Sequence, residues 1–469
     1  MFRSVLLLGG VLLIASTTCS PDAAPPPALN ADPPNLVFLL ADDLRFDALG
    51  YTGHPVVKTP AIDSLAARGT RFSRAYVTTS ICSVSRASYL SGQYARRHQK
   101  WGFGPGFGAD EWANTYAYHL DTAGYRTGFI GKYGVGEYAY ASQQFDYWRG
   151  FPGQGNFNAT GPDGQPLHLT RLMGLQMQEF IESNPDSVPF ALSVSFKAPH
   201  VNTEDDTWQV FDPSFADVYE GAEFPQAVSG EVEHFDHFNA AFVQNDQNEA
   251  RQRYLQRFGD PETGQNSLEG YYRLVHGMDR AVSRLVQTLA DNDLLDNTIL
   301  IFTSDNGMYL GEYGFSGKWY GSEPSIRIPM LLVDPAAPPQ SSEALVLNID
   351  VAPTLLDYAG IDPPAGMQGR SLAGLVYDTL GTDWRTDFLY EHLWDLPQYP
   401  IPSTEGVVND TAKYMRYFTG FPPADVLQEE LYLLASDPNE LRNLANTAEQ
   451  QDLEASLESR LEALILDNQ

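Results

Sequence analysis

The chain has 469 residues, 43% hydrophobic and 19% charged, which suits a large folded core and argues against wholesale disorder. Asp and Glu number 60 against 29 Lys and Arg, a formal net charge of −31. That excludes a generic binder of nucleic acid or anionic membrane, because phosphate affinity rests on basic counter-charge, but it leaves open an anionic small group held in a local basic pocket. The two cysteines, Cys19 and Cys82, rule out a disulfide framework.

Residues 1–19 read as a secretory signal peptide: Arg3, an apolar run over 5–15 too short to span a bilayer, then small polar residues. Cys19 follows Ser16-Thr17-Thr18 and precedes a Pro/Ala-rich stretch, as at a bacterial lipoprotein processing site. A lipid anchor at Cys19 and simple cleavage are the two alternatives. Either implies export, to the bacterial periplasm or cell surface. Residues 20–34 form a Pro-rich linker.

The fold is expected to begin at Asn35-Leu36-Val37-Phe38-Leu39-Leu40, which runs into Asp42-Asp43. Such runs, apolar on both faces, suit parallel strands covered by helices on each side. Phe190-Ala191-Leu192-Ser193-Val194-Ser195-Phe196, leading to Lys197 and His200, is a second. Thr298-Ile299-Leu300-Ile301-Phe302-Thr303, leading to Ser304-Asp305-Asn306-Gly307, is a third. A helical pattern over 268–290 and polar groups after each strand indicate an α/β fold with its site at the strands' carboxyl ends. Residues 201–266, acidic and aromatic, read as a long insertion over the site, with His234 and His237 more in keeping with a solvated loop than with metal ligands. After residue 380 short strands at 388–390, 413–417 and 431–433, then a helix near 447–467, predict a small antiparallel sheet with a helix on it. The division is therefore a catalytic domain over 35–379 and a subdomain over 380–469.

Asp42, Asp43, Asp305 and Asn306 place four hard-oxygen side chains at two strand ends. This donor set favours Ca2+ or Mg2+ over zinc, although each pair taken alone also fits an ordinary turn. In Cys82-Ser83-Val84-Ser85-Arg86 the cysteine stands near a helix N-terminus, where anions and thiolates are favoured. Arg86, one turn on, lies on the same face and can fork an oxyanion.

Together these segments resemble the sulfatase family of the alkaline phosphatase superfamily, from Asn35 nearly to the C-terminus. Thr59-Pro60-Ala61-Ile62-Asp63, Gly131-Lys132, Lys197-Ala198-Pro199-His200, Gly317-Lys318 and Asp437-Pro438-Asn439-Glu440 add to the match, in order. The resemblance implies an alkaline phosphatase-like fold with a large mixed, mostly parallel sheet. It implies that Cys82 is oxidised to formylglycine, whose hydrated aldehyde is the nucleophile, by a formylglycine-generating enzyme. It also implies a Ca2+ site (with Mg2+ as the alternative ion) of Asp42, Asp43, Cys82, Asp305 and Asn306. Arg86, Lys132, Lys197 and Lys318 would surround the sulfate, and His200 would be the general acid.

Three positions depart from the family's pattern. Val84 stands where Pro or Ala is usual, Tyr313 replaces the usual His after Gly311-Glu312, and Gly134 stands where many members have His. With no side chain at Gly134, His98 is the nearest stand-in by sequence for the base that regenerates the aldehyde. Gly-Lys-Tyr at 131–133 and Leu389-Tyr390-Glu391-His392 followed by Lys413-Tyr414 resemble branches acting on 6-sulfated glucosamine. The expected function is thus an exported sulfatase of a sulfated carbohydrate. Its alternatives are a phosphonate or phosphate ester hydrolase on the same scaffold and an inactive glycan-binding lipoprotein.

Overall fold

The three apolar runs are neighbours in one sheet. The computed structural model describes residues 33–204, 206–230, 248–380, 383–393, 401–418, 420 and 425–469. The leader, Cys19, and His234 and His237 lie outside them.

The large sheet is built from β1 (Asn35–Ala41), β2 (Thr70–Tyr76), β3 (Arg126–Lys132), β4 (Tyr147–Phe151), β5 (Phe190–Ser195), β6 (Thr298–Ser304), β7 (Arg327–Val333) and β8 (Gln340–Leu347), in the order β8-β2-β7-β6-β1-β5-β3-β4. Only β7 is antiparallel to its neighbours; the other pairings are parallel. The double-sided apolar character of β1 has a direct cause. Leu36, Phe38 and Leu40 join one core cluster and Val37, Leu39 and Ala41 another, on opposite faces of the sheet. One face carries α1 (Pro60–Arg68), α3 (Leu169–Glu182) and α4 (Pro261–Asp291); the other carries α2 (Cys82–Ser91) and α5 (Val351–Tyr358).

Helix α4 starts seven residues before the apolar pattern predicted. Asp260 caps it by accepting from Glu262 N and Thr263 N, and Pro261 occupies its first turn, where a missing N–H costs nothing. Part of the expected 201–266 insertion is therefore helix, at 261–266 and also over Glu249–Phe258, where Asn248 caps the first turn.

The C-terminal strands β9 (Asp387–His392), β10 (Ser403–Asn409), β11 (Ala412–Phe418) and β12 (Val426–Leu433) form an antiparallel four-stranded sheet in sequence order. With α6 (Gln451–Asp467) it packs on the α2 side of the core, and Glu391 N donates to Thr78 O at 2.9 Å. Among the described residues, no helix is long and apolar enough to cross a membrane.

Candidate active site

Register brings the site together. Ala41 lies opposite Ser304, Leu40 opposite Ser195, and Gly131 opposite Ser195. Asp42, Asp305, Lys197 and Lys132 therefore stand at the same sheet edge, at the carboxyl ends of β1, β6, β5 and β3, as expected for a parallel sheet. Asp43 follows with a φ of +67°. Its N–H donates to Asp305 Oδ1 at 3.1 Å, and Asn306 Nδ2 donates to Asp43 Oδ1 at 2.7 Å. Tyr271 of α4 donates its phenol to Asp43 O at 2.9 Å.

Helix α2 is buried along its whole length, with Cys82, 1% exposed, as its first residue. Arg86 reaches Asp305 Oδ2 from both Nε and Nη2 at 2.8 Å, and its Nη1 donates to Lys132 O at 2.7 Å and to Ser195 Oγ. Lys132 Nζ lies 2.6 Å from Asp42 Oδ2 and 2.5 Å from Gln154 Oε1, and Lys318 pairs with Asp43. Each carboxylate thus has its own cation. Among the described residues Lys197 has no carboxylate partner: its Nζ donates to Val201 O at 3.3 Å and sits 4.9 Å over the Phe157 ring. Arg86, Lys197 and Lys318 each lie near enough to Cys82 to be raised by it.

The electrostatics follow from burial of this many charges. Burial would raise Asp42, but Lys132, His200 and Arg86 hold it well below the usual carboxylate range. Burial, reinforced by the Asp42 charge, pushes Asp305 up to about 7 against the pull of Arg86. Burial, with Lys132 nearby, brings Lys197 down to about 8. His200 Nδ1 hydrogen-bonds Val201 O at 2.8 Å, which turns Nε2 toward Asp43 Oδ2 at 3.7 Å. Burial lowers His200 to about 3, which favours the neutral imidazole. To donate a proton it must first gain one, which the Asp42 and Asp43 charges favour.

The residues fit a hard cation. Asp42, Asp43 and His200 offer ligand atoms within 4.8 Å of one another. Among the described residues Asp42 Oδ1 and Asn306 Oδ1 are buried with no hydrogen-bond partner, while the amide nitrogen of Asn306 is already spent on Asp43 and Gly307. Orphaned oxygens beside crowded carboxylates are what a divalent ion would satisfy.

His98 is corrected. Its Nε2 meets Ser88 Oγ at 3.0 Å and its Nδ1 accepts from Lys100 N at 3.0 Å, so both ring nitrogens are engaged with structural partners. It braces α2 against the following turn. Tyr313, at a φ of +57°, is likewise structural, donating its phenol to Asn439 O at 2.9 Å. Sequence reasoning missed Ser195, Gln154 and Val201. Ser195 alternates within an apolar strand and Gln154 sits in a Gly-rich loop, and neither pattern carries a local signal.

The sulfatase family profile matches residues 34–361, and that of N-sulphoglucosamine sulphohydrolase, C-terminal, matches residues 311–467. The chain is 26% identical over 481 residues to an N-acetylglucosamine-6-O-sulfatase of Bacteroides thetaiotaomicron, covering 89% of this chain and 83% of that one. It is 26% identical to human N-acetylglucosamine-6-sulfatase, covering 88% and 81%. A solved structure of a protein in complex with its substrate D-glucosamine-2-N,6-O-disulfate superposes with a TM-score of 0.77 at 24% identity, covering 92% of this chain and 97% of that one. The phosphonate monoester hydrolase of Agrobacterium radiobacter shares the fold with a TM-score of 0.74 at 20% identity, covering 93% and 96%. A family match over most of the chain, laid on a buried cationic pocket at the carboxyl ends of the strands, establishes that the chain belongs to the sulfatase family and is a sulfuric ester hydrolase.

Proposed function

We propose that the protein is an exported sulfatase that removes sulfate from a carbohydrate. Cys82 is the position at which the formylglycine nucleophile would be made, and Asp42, Asp43, Asp305 and Asn306, with the modified Cys82, would hold Ca2+ (Mg2+ being the alternative). The observation carrying this reading is the meeting of α2's first residue with four cations and three carboxylates around two unpartnered oxygens. Such a pocket can balance both a metal and a sulfate.

When bound, the ion supplies a Lewis acid that polarises a sulfate oxygen and acidifies the attacking hydroxyl. The chain's own residues do the rest. Arg86, fixed by Asp305 and Ser195, presents its guanidinium beside the nucleophile. Lys132 and Lys318 balance carboxylates in the resting site and sulfate charge in the transition state. Lys197, free of any carboxylate partner among the described residues, is placed to meet the sulfate itself. His200, oriented through Val201, delivers a proton from Nε2 to the departing sugar oxygen.

The carbohydrate assignment is supported by the N-acetylglucosamine sulfatases and the glucosamine disulfate complex named above. The division into residues 35–379 and 380–469, the leader over 1–19, a lipid anchor at Cys19 and maturation by a formylglycine-generating enzyme belong to the same proposal. The test is hydrolysis of glucosamine 6-sulfate, an aryl sulfate, a phosphate diester and a phosphonate monoester, side by side, each followed by release of its own alcohol. Preference for the sugar sulfate is expected. Preference for the phosphonate would overturn it in favour of the phosphonate hydrolase reading.

A further inference from the structure

Helices α3 and α4 lie side by side on the sheet face opposite α2, and an open groove of about 580 Å3 runs between them. Its floor is made of small residues: a Cβ on Gly174 would stand 3.6 Å from Ala281 Cβ and 3.4 Å from Arg284 Cδ. Its walls carry exposed Arg171 from α3 and exposed Arg280 and Arg284, one turn apart, from α4. Among the described residues none of these arginines has a carboxylate within ion-pair distance; Arg284 Nη1 instead donates to the neutral Gln178 Oε1 at 2.9 Å. The two acids lining the groove are turned to local work. Asp212 Oδ1 accepts from Ser214 N and Oγ, and Asp291 Oδ1 accepts from Gln287 Nε2 at 2.7 Å. Hydrogen bonds from neutral donors leave both carboxylates charged, so three arginines against two aspartates give the lining a small positive excess in a chain with net charge −31.

One end of the groove shares a buried aromatic neighbour with the active site. His168 lines its end and stacks on Phe157 with ring centroids 5.1 Å apart, and Lys197 Nζ lies over that same Phe157 ring. Guanidinium forks match the paired oxygens of a sulfate group, and they keep their charge at any physiological pH.

We propose that this groove is a secondary binding site for a sulfated glycan, holding a sulfated stretch of the chain whose reacting sulfate is presented at Lys197 and Cys82. The proposal rests on the reading of the protein as a carbohydrate sulfatase and extends it from a single sugar to a polymeric substrate. The site selects by charge density and not by sugar identity, so its contribution falls as salt rises.

The test uses the full-length protein and dextran sulfate as probe, with neutral dextran and a single-stranded DNA oligomer beside it, in titration calorimetry. The Arg280→Ala/Arg284→Ala double variant should bind dextran sulfate about tenfold more weakly, as for loss of one or two charge-assisted hydrogen bonds. Its kcat/KM on glucosamine 6-sulfate should be unchanged, and Arg280→Lys/Arg284→Lys should recover part of the affinity. Equal affinity of the parent and the double alanine variant would overturn the proposal. DNA bound as tightly as dextran sulfate would overturn its assignment to a glycan. Variant-sensitive dextran sulfate binding without sulfate release from any sugar sulfate would leave the groove standing and remove the catalytic reading.

Discussion

Gly134 backs directly onto Arg86. Its φ is +71°, and a Cβ built there would lie 2.7 Å from Arg86 Cδ and 3.2 Å from Arg86 Nε. The glycine thus lets Arg86 lie flat between Asp305 and Lys132 O, a position that a side chain at 134 would displace. Gly134→Ala should lose about 1–2 kcal/mol from the left-handed backbone and lower kcat/KM at least about tenfold by moving the guanidinium. Gly134→His, although it installs the residue common in the family, should do the same. Thermal unfolding and steady-state kinetics check this; unchanged kinetics in both variants would detach Arg86's placement from catalysis.

Cys82 is a buried free thiol at the head of α2. Cys82→Ala should abolish turnover and leave the fold intact, since one small side chain is exchanged for another in a helix where Ala is favoured. Peptide mass spectrometry of active protein should find an aldehyde in place of the thiol at position 82. Full activity in protein holding only free thiol would disprove the assignment.

What could be read from the sequence was set by how local the physics is. The strands β1, β5 and β6 announce themselves because helices cover both their faces, and Asp42, Asp305 and Lys197 follow from strand ends alone. Strand β10 was missed because it opens on Ser403-Thr404-Glu405-Gly406, whose polar side chains are buried by cross-strand and loop partners such as Arg96 on Glu405. The Glu249–Phe258 helix was missed because it buries only Ala250 and Arg257, too little for an apolar stripe. His98 misled for the opposite reason: nearness in sequence to α2 put it beside the helix, while Ser88 and Lys100 took both its nitrogens. Gln154 on Lys132 and Ser195 on Arg86 are contacts across the sheet edge, made by register that no spacing within one segment encodes.

Chelation should lower activity and added Ca2+ or Mg2+ should restore it. Asp305→Ala removes a buried carboxylate from between Arg86 and the backbone of Asp43, so metal affinity should fall. The parent protein should gain about 2.7 kcal/mol of stability at a Ca2+ concentration 100 times its Kd, a gain the variant should not show at that concentration. Elemental analysis and calorimetry decide the point. Stoichiometric zinc with no alkaline-earth dependence would make the donor assignment wrong.

If His200 protonates the leaving oxygen, its loss should matter according to the leaving group. His200→Ala should slow release from glucosamine 6-sulfate by about 10²–10⁴-fold, the range of general acid catalysis. It should slow 4-nitrophenyl sulfate far less, because nitrophenolate departs without a proton. Equal slowing of both substrates would recast His200 as a residue that only orders Asp43 and the neighbouring cation site.

The two sheets are joined by a buried ion network centred on Lys413, and this gives the last expectation. Lys413 Nζ lies 2.8 Å from Glu323 Oε1 and 2.6 Å from Glu440 Oε1, and all three side chains are buried. Glu440 Oε2 in turn accepts from Glu323 N at 2.9 Å and from the Tyr313 phenol at 3.4 Å. Glu323 follows Lys318 by five residues, so the C-terminal strand β11 holds the loop that carries the lysine paired with Asp43. Lys413→Met leaves buried Glu440 facing Glu323 with no lysine between them, while Glu323 keeps only Arg327, 3.6 Å from its Oε2. Breaking such a pair by removing one partner costs about 3–5 kcal/mol, and the denaturant midpoint should drop accordingly. Because the loop loosens as well, kcat/KM should fall even at temperatures where the variant is folded. Adding Glu440→Gln should recover part of both losses, since it removes the stranded Glu440 charge and keeps a group that can accept from Glu323 N. A Lys413→Met variant of parental stability and activity would show that β11 touches the catalytic domain without positioning it.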